Sequence, residues 1–139
     1  MNAPIGPLRV IGYVESRLVE PMDAPRQPDE LGAPSAVLHI QADYVSALAG
    51  LNEGDEVVVV TWLHLADRDT VTVHPRNDDR RARTGVFATR SADRPNPIGL
   101  HRTTITGIAP PIIAIASFEA VDGTPILDIK PLLGPPAWR

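Results

Sequence analysis

The connections between strand-like runs limit this chain more than any other feature. Short runs rich in apolar and β-branched residues occupy 8–14, 35–40, 56–62, 70–73, 85–89, 100–108, 112–118 and 126–129. Most are close to the 5–6 residues of an ordinary strand. Apart from a loop at 20–34 and one helical stretch, the gaps between them are too short for the dozen or more residues of a parallel crossover. The strands should therefore pair mostly antiparallel. Many short strands with little helix leave long sheet edges, and closing the sheet on itself removes them. The expected fold class is mainly β: a small, mostly antiparallel β-barrel with one short helix. In the run at 56–62, four consecutive valines predict a strand buried on both faces. The helix is expected from Asp43 to Leu51, with Asp43 as N-cap and Tyr44, Val45, Leu48 and Leu51 at helical spacing.

A chain of 139 residues fits one domain, read as 1–139. No apolar run approaches the ~20 residues of a membrane span, and residues 1–9 show no signal-peptide pattern. No membrane association is expected. The absence of cysteine removes disulfides, thiol nucleophiles and thiolate zinc sites. The four histidines show no zinc spacing, so no metal is expected. A reducing cytoplasm is the expected location. A net charge of −4 is not that of a general nucleic-acid binder. The charge is uneven, however: residues 76–94 hold six arginines against three aspartates, a local +3 that leaves −7 elsewhere. That stretch reads as either a solvated loop or a face for an anion. The prolines and glycine of 20–34 suggest a long loop, a length that is usually functional or disordered. The proline-rich tail at 131–139 is expected to lie over a surface or a partner chain.

The most informative stretch is Arg94-Pro95-Asn96-Pro97-Ile98-Gly99-Leu100. Pro95 and Pro97 fix their own φ angles and push Arg94 and Asn96 towards extended geometry. Arg90, Arg94 and Asn96 are then displayed on stiff backbone, and Gly99 permits a close approach. Guanidinium forks and an amide suit a ligand with a carboxylate and a purine, although a proline-rich turn between strands would look the same. Further on, Asp122-Gly123-Thr124-Pro125 reads as a tight hairpin turn. Asp128 and Lys130 share one face of an otherwise apolar strand, so the pair is either exposed or near a site. His64 and His74 end strands, where a histidine is more often structural than catalytic. No dinucleotide fingerprint, phosphate loop or nucleophile elbow occurs.

Taken in order, Gly85-Val86-Phe87-Ala88-Thr89-Arg90-Ser91, the Arg94–Leu100 stretch, Asp122-Gly123-Thr124-Pro125 and Leu127-Asp128-Ile129-Lys130-Pro131 resemble the TsaA-like domain of the TrmO family. Ile11-Gly12, Pro25-Arg26-Gln27, His64 and His74-Pro75-Arg76 agree as well. The resemblance covers nearly the whole chain, without the extra C-terminal domain of longer relatives. It implies a homodimeric β-barrel that binds S-adenosylmethionine near the subunit interface. It implies N6-methylation of threonylcarbamoyladenosine beside the anticodon of tRNA. By position it implies cofactor contacts from Pro25, Arg26, Gln27, His64, Arg90, Leu100, Asp122, Gly123 and Thr124, supported by Arg94 and Asn96. Asp128 and Lys130 would lie close by. His101 and Leu132 depart from the family's usual Ser and Tyr.

The acceptor nitrogen of such a base is conjugated and must lose its proton during transfer. A general base within hydrogen-bond reach would assist. His64 is the first candidate, because its ordinary pKa is near neutral, and Asp128 is the second. A module that binds S-adenosylmethionine without chemistry, or a methyltransferase for a small molecule, are the competing readings.

Overall fold

A computed structural model describes residues 4–19, 34–75 and 78–134. The proline-rich connection, with Pro25, Arg26 and Gln27, falls outside the described residues, as do Arg76 and the end of the tail. The strands are β1 (Gly12–Glu15), β2 (Ala36–Ile40), β3 (Glu56–Trp62), β4 (Thr72–Val73), β5 (Thr84–Gly85), β6 (Ile98–Ala109), β7 (Ile112–Ile115) and β8 (Pro125–Pro131). Six of them form a sheet in the order β1-β2-β7-β6-β3-β8, and β8 pairs back onto β1, so the sheet closes into a ring. Every pairing is antiparallel. β4 and β5 make a separate two-stranded ribbon.

The period of two along each strand decides what the ring encloses. Val57, Val59 and Thr61 of β3 point inward, as do Gly99, His101, Thr103 and Ile105 of β6. They meet Val14, Leu38, Ile40, Ile113, Ile115 and Ile126 in one core. Full burial of such an aliphatic side chain contributes roughly 1.5–3 kcal/mol. The four valines of β3 are not buried on both faces as expected. Val58 and Val60 point outward and stay half-buried, because among the described residues no layer covers that side of the sheet.

The ring has two ends, each closed differently. At one end a 3-10 helix, Ala42–Leu48, inserts Leu48 beneath the strands. Its N-cap lies two residues earlier than expected, at Gln41 and not Asp43, with no side-chain cap, and it ends at Leu48, short of Leu51. The Gln41 amide donates to the Ile11 carbonyl at 2.8 Å, which fixes the entry directly after β2 and leaves Asp43 inside the first turn. At the other end, the chain from β7 to β8 spans the mouth, since those strands lie on opposite sides of the ring. Phe118, Glu119, Ala120 and Val121 on this crossing are buried.

The expected hairpin at Asp122–Pro125 is therefore corrected. β7 and β8 are not neighbours, and the turn docks on the continuation of β1 instead. The expected strand at 85–89 is also corrected: after Gly85 the chain turns into a short 3-10 helix, Val86–Ala88, with Val86 buried and Phe87 exposed. Carbonyls that a sheet partner would have used are taken by an arginine, as described next.

Candidate functional site

Antiparallel pairing brings the motif-bearing segments to one end of the ring. The end of β3 leads to His64, the start of β6 follows the Pro95–Pro97 loop, and the start of β8 follows the Asp122–Thr124 turn. Register places these three ends side by side, with Trp62 opposite Ile98 and Thr61 opposite both Gly99 and Ile126. The end of β1 and the start of β2 lie at the same mouth, with Glu15 opposite Val37.

The loops at this mouth are stitched together. Leu63 N–H donates to the Pro97 carbonyl at 2.7 Å, Arg94 N–H to the Asp67 carbonyl at 3.0 Å, and Asp67 N–H to the Asp93 carboxylate at 2.9 Å. Arg94 turns its guanidinium onto backbone: Nε reaches the Ser91 carbonyl at 2.7 Å, and Nη2 reaches Val86 and Thr89 carbonyls, each at 2.6 Å. Three charge-assisted bonds hold the loop that carries Arg90, whose side chain is exposed. Asn96 receives a bond from Arg68 Nη2 on its amide oxygen at 3.1 Å. Arg68 also donates to the Pro95 carbonyl at 2.8 Å and lies 5.0 Å from the centre of the Trp62 ring. Sequence reasoning missed Arg68. A single arginine beside an Asp67–Asp69 turn carries no signal until the loops meet.

The Asp122–Thr124 turn is fixed to β1. Gly123 has a φ of +81°, which suits glycine alone, and its N–H donates to the Val14 carbonyl at 2.8 Å. The Asp122 carboxylate accepts from Ser16 N–H at 3.0 Å, and the buried Thr124 hydroxyl donates to the Val121 carbonyl at 2.7 Å. The turn thus offers its exposed backbone and the outer oxygen of Asp122.

On the outer face, Leu100 and Asp128 flank Val60 in one row across β6, β3 and β8. Leu100 is 49% exposed and Ile98 46%. With Val58, Val60 and Trp62 they make an apolar strip beside the mouth. Asp128 pairs with Lys130 at 3.1 Å, and its other oxygen accepts from Ile129 N–H. Both side chains of that pair are at least half exposed, which makes it a surface pair of small energetic weight. The register shift at Val60/Thr61 leaves Leu127 between two paired residues and turns β8 outward there.

Directly inside the mouth lies a polar cluster. His101 Nδ1 faces the Glu119 carboxylate at 2.5 Å, and His101 Nε2 faces the Thr61 hydroxyl at 2.6 Å. All three residues are buried, and the Phe118 ring lies 4.6 Å from the imidazole. Glu119 Oε2 has no hydrogen-bond partner among the described residues. Leaving a buried polar atom unsatisfied costs about 1–3 kcal/mol. Gly99 exists to admit this cluster: a Cβ there would lie 2.5 Å from Thr61 Oγ1 and 2.6 Å from His101 Nε2. The close approach expected at Gly99 is thus made by protein side chains.

The model of the tRNA-methyltransferase O N-terminal domain matches residues 13–135. The chain belongs to the TrmO N-terminal domain family. It is similar to a probable S-adenosyl-L-methionine-binding protein of Methanothermobacter thermautotrophicus, 36% identical over 124 residues, covering 89% of this chain and 88% of that protein. It is also similar to the tRNA (adenine(37)-N6)-methyltransferase of Escherichia coli, 36% identical over 133 residues. That match covers 88% of this chain and 56% of the enzyme. Among solved structures, TrmO from Pseudomonas aeruginosa superposes with a TM-score of 0.74 at 32% identity, covering 99% of this chain and 59% of that one. The chain therefore spans a little over half the length of these TrmO structures.

Within this TrmO-type domain several side chains of the arginine-rich stretch are tied to protein partners. Arg80 and Arg81 lie 2.9 and 3.7 Å from Asp78. The Arg80 hydrogen bond holds the Asp78 carboxyl below its ordinary pKa. Arg83 donates to Thr72, and Arg94 is used on backbone. His74 Nδ1 contacts the Arg81 carbonyl at 2.8 Å and His39 pairs with Glu15 at 2.7 Å, both structural arrangements. Among the described residues, no group of three or more metal-ligating side chains lies together, and no helix is long and apolar enough to cross a membrane.

Proposed function

We propose that this chain is an S-adenosylmethionine-dependent methyltransferase that methylates N6 of threonylcarbamoyladenosine beside the anticodon of tRNA. The observation that carries the reading is family membership combined with the gathering of the family-like motifs at one mouth of the ring. The donor's chemistry fits what the mouth presents. The apolar strip of Ile98 and Leu100 offers a floor for an adenine, and the Arg90 cation suits a carboxylate. The Asp122–Thr124 turn supplies backbone groups in a fixed geometry. In this reading Pro25, Arg26, Gln27, His64, Arg90, Leu100, Asp122, Gly123 and Thr124 contact the cofactor, while Arg94 and Asn96 shape the loop around it.

Bound S-adenosylmethionine supplies an electrophilic methyl group on a sulfonium. Methyl transfer breaks the methyl–sulfur bond, forms the methyl–nitrogen bond, and requires the acceptor nitrogen to lose its proton. His64, exposed at the mouth, takes that proton; a neutral imidazole is the form that can accept it. Asp128 is the second candidate; its carboxylate is engaged by Lys130 at 3.1 Å. The stitched loops would hold donor and acceptor in a fixed relative position, which is what an in-line displacement requires of the protein.

The closed ring serves as a small β-barrel scaffold, and two copies pair through the apolar outer face of β3, Val58, Val60 and Trp62, as a homodimer. The protein works in the cytoplasm, where its substrate is found. Mass spectrometry of digested tRNA after incubation with purified protein and S-adenosylmethionine tests the reading. A threonylcarbamoyl-bearing tRNA gains one methyl group, and unmodified tRNA gains none. A fully modified tRNA left unchanged overturns it. One observation favours a second reading, a binding module: a relative of matching length is named as a binding protein, whereas the named methyltransferase is nearly twice as long.

A further inference from the structure

We propose that Thr61, His101 and Glu119 act as one positioning triad that sets the geometry of the cofactor site from inside the ring. The inference rests on the reading of the mouth as that site. Each member belongs to a different segment, and each segment runs straight into a different site group. Thr61 lies three residues before His64, His101 directly follows Leu100, and Glu119 lies three residues before Asp122.

The imidazole is the one part of this cluster with two hydrogen-bonding atoms on opposite sides. The Glu119 carboxylate faces Nδ1 and the Thr61 hydroxyl faces Nε2, so the ring is held from both sides. The Phe118 ring packs against the imidazole, 4.6 Å between centroids and tilted by 36°. Gly99 leaves no spare volume at the contact, so a change in length at one member displaces the others instead of being absorbed. The crossing segment that carries Glu119 is held at its far end by the Asp122–Ser16 and Gly123–Val14 bonds. Glu119 is thus the tie between that crossing and the β3–β6 pair.

The orphaned Glu119 Oε2 argues against a purely packing role. A well-packed apolar set of similar volume would serve stability at least as well as a buried, incompletely satisfied pair. What the polar set adds is directional: it fixes where β3, β6 and the crossing stand relative to one another.

The test uses the full chain and S-adenosylmethionine itself as probe. Calorimetry gives the cofactor Kd for the parent, Thr61→Val, Thr61→Ser and Glu119→Gln, all well below their melting temperatures. Thr61→Val and Glu119→Gln weaken cofactor binding by roughly tenfold or more, the scale of a sub-ångström to ångström misplacement of a site. Thr61→Ser, which keeps the hydroxyl, binds like the parent. Turnover assays place the change in KM for the cofactor and leave KM for tRNA as it was. Ile113→Val, a core change on β7 away from the mouth, serves as the stability control and binds like the parent. Parent-like binding by both Thr61→Val and Glu119→Gln overturns the triad, as does a Kd loss in Ile113→Val that follows its loss of melting temperature equally. A parent that gives no heat and no thermal shift at millimolar cofactor overturns the reading of the mouth itself, which separates the two failures.

Discussion

Arg94 places three donor bonds on the carbonyls of Val86, Thr89 and Ser91, so its charge acts on the loop before it can act on a ligand. Arg94→Ala is expected to weaken cofactor binding by about 1.5–3 kcal/mol, the range for bonds to a charged group, with the ring still folded. Arg94→Lys does not restore it, because an ammonium cannot reproduce the planar fork. Calorimetry checks both. His64→Ala should lower kcat by about 10²–10⁴, the usual contribution of a positioned base, with the cofactor Kd nearly unchanged. Single-turnover rates check that. The importance of the Arg90–Leu100 stretch was legible because two prolines and a glycine announce their backbone effects locally. The buried cluster was not. Thr61, His101 and Glu119 are separated by 40 and 18 positions and meet only through the β3–β6 pairing and the crossing from β7 to β8. One hint was present: His101 falls on the inward phase of β6, between Gly99 and Thr103, where a histidine must find buried partners.

Among the elements, β3 and β6 border the mouth proposed as the site, and their close contact there depends on Gly99. Gly99→Ala pushes a methyl into Thr61 Oγ1 and His101 Nε2. Overpacking of this kind costs about 1–3 kcal/mol. Thermal denaturation should therefore show a fall in Tm of several degrees, against no change for Gly85→Ala, where a Cβ meets nothing. Strand positions were readable from alternation because one face of each strand meets the core. The 85–89 segment misled because Val86 alone is buried there while Phe87 is exposed, and an arginine eight residues on supplies the carbonyl partners. The Asp122–Gly123 turn misled for a related reason. Its left-handed glycine was visible, but not the partner, which lies on β1 more than a hundred positions earlier.

At the scale of the molecule, the proposed homodimer would use the outward Val58, Val60 and Trp62 of β3 as its contact surface. Val58→Lys, on the solvent side of β3, should shift the protein towards monomer in light scattering while the ring stays folded. A parent that is monomeric at high concentration with cofactor bound would count against the dimer. Binding to tRNA should weaken with salt, with a log–log slope on the order of −2 to −4, if a few arginines of residues 76–94 each neutralise one phosphate. Titration at several salt concentrations measures it. The closure of β8 between β1 and β3 also bears on how the chain is made. β8 is the last of the eight strands to leave the ribosome, and until it emerges both β1 and β3 wait with an open side. Neither can be satisfied by a neighbour in sequence, so the nascent chain remains unfinished through most of its synthesis. Such an intermediate exposes strand edges that other chains can pair with. Cooperative closure should arrive late and in one step, as the final strand inserts between the first and the third.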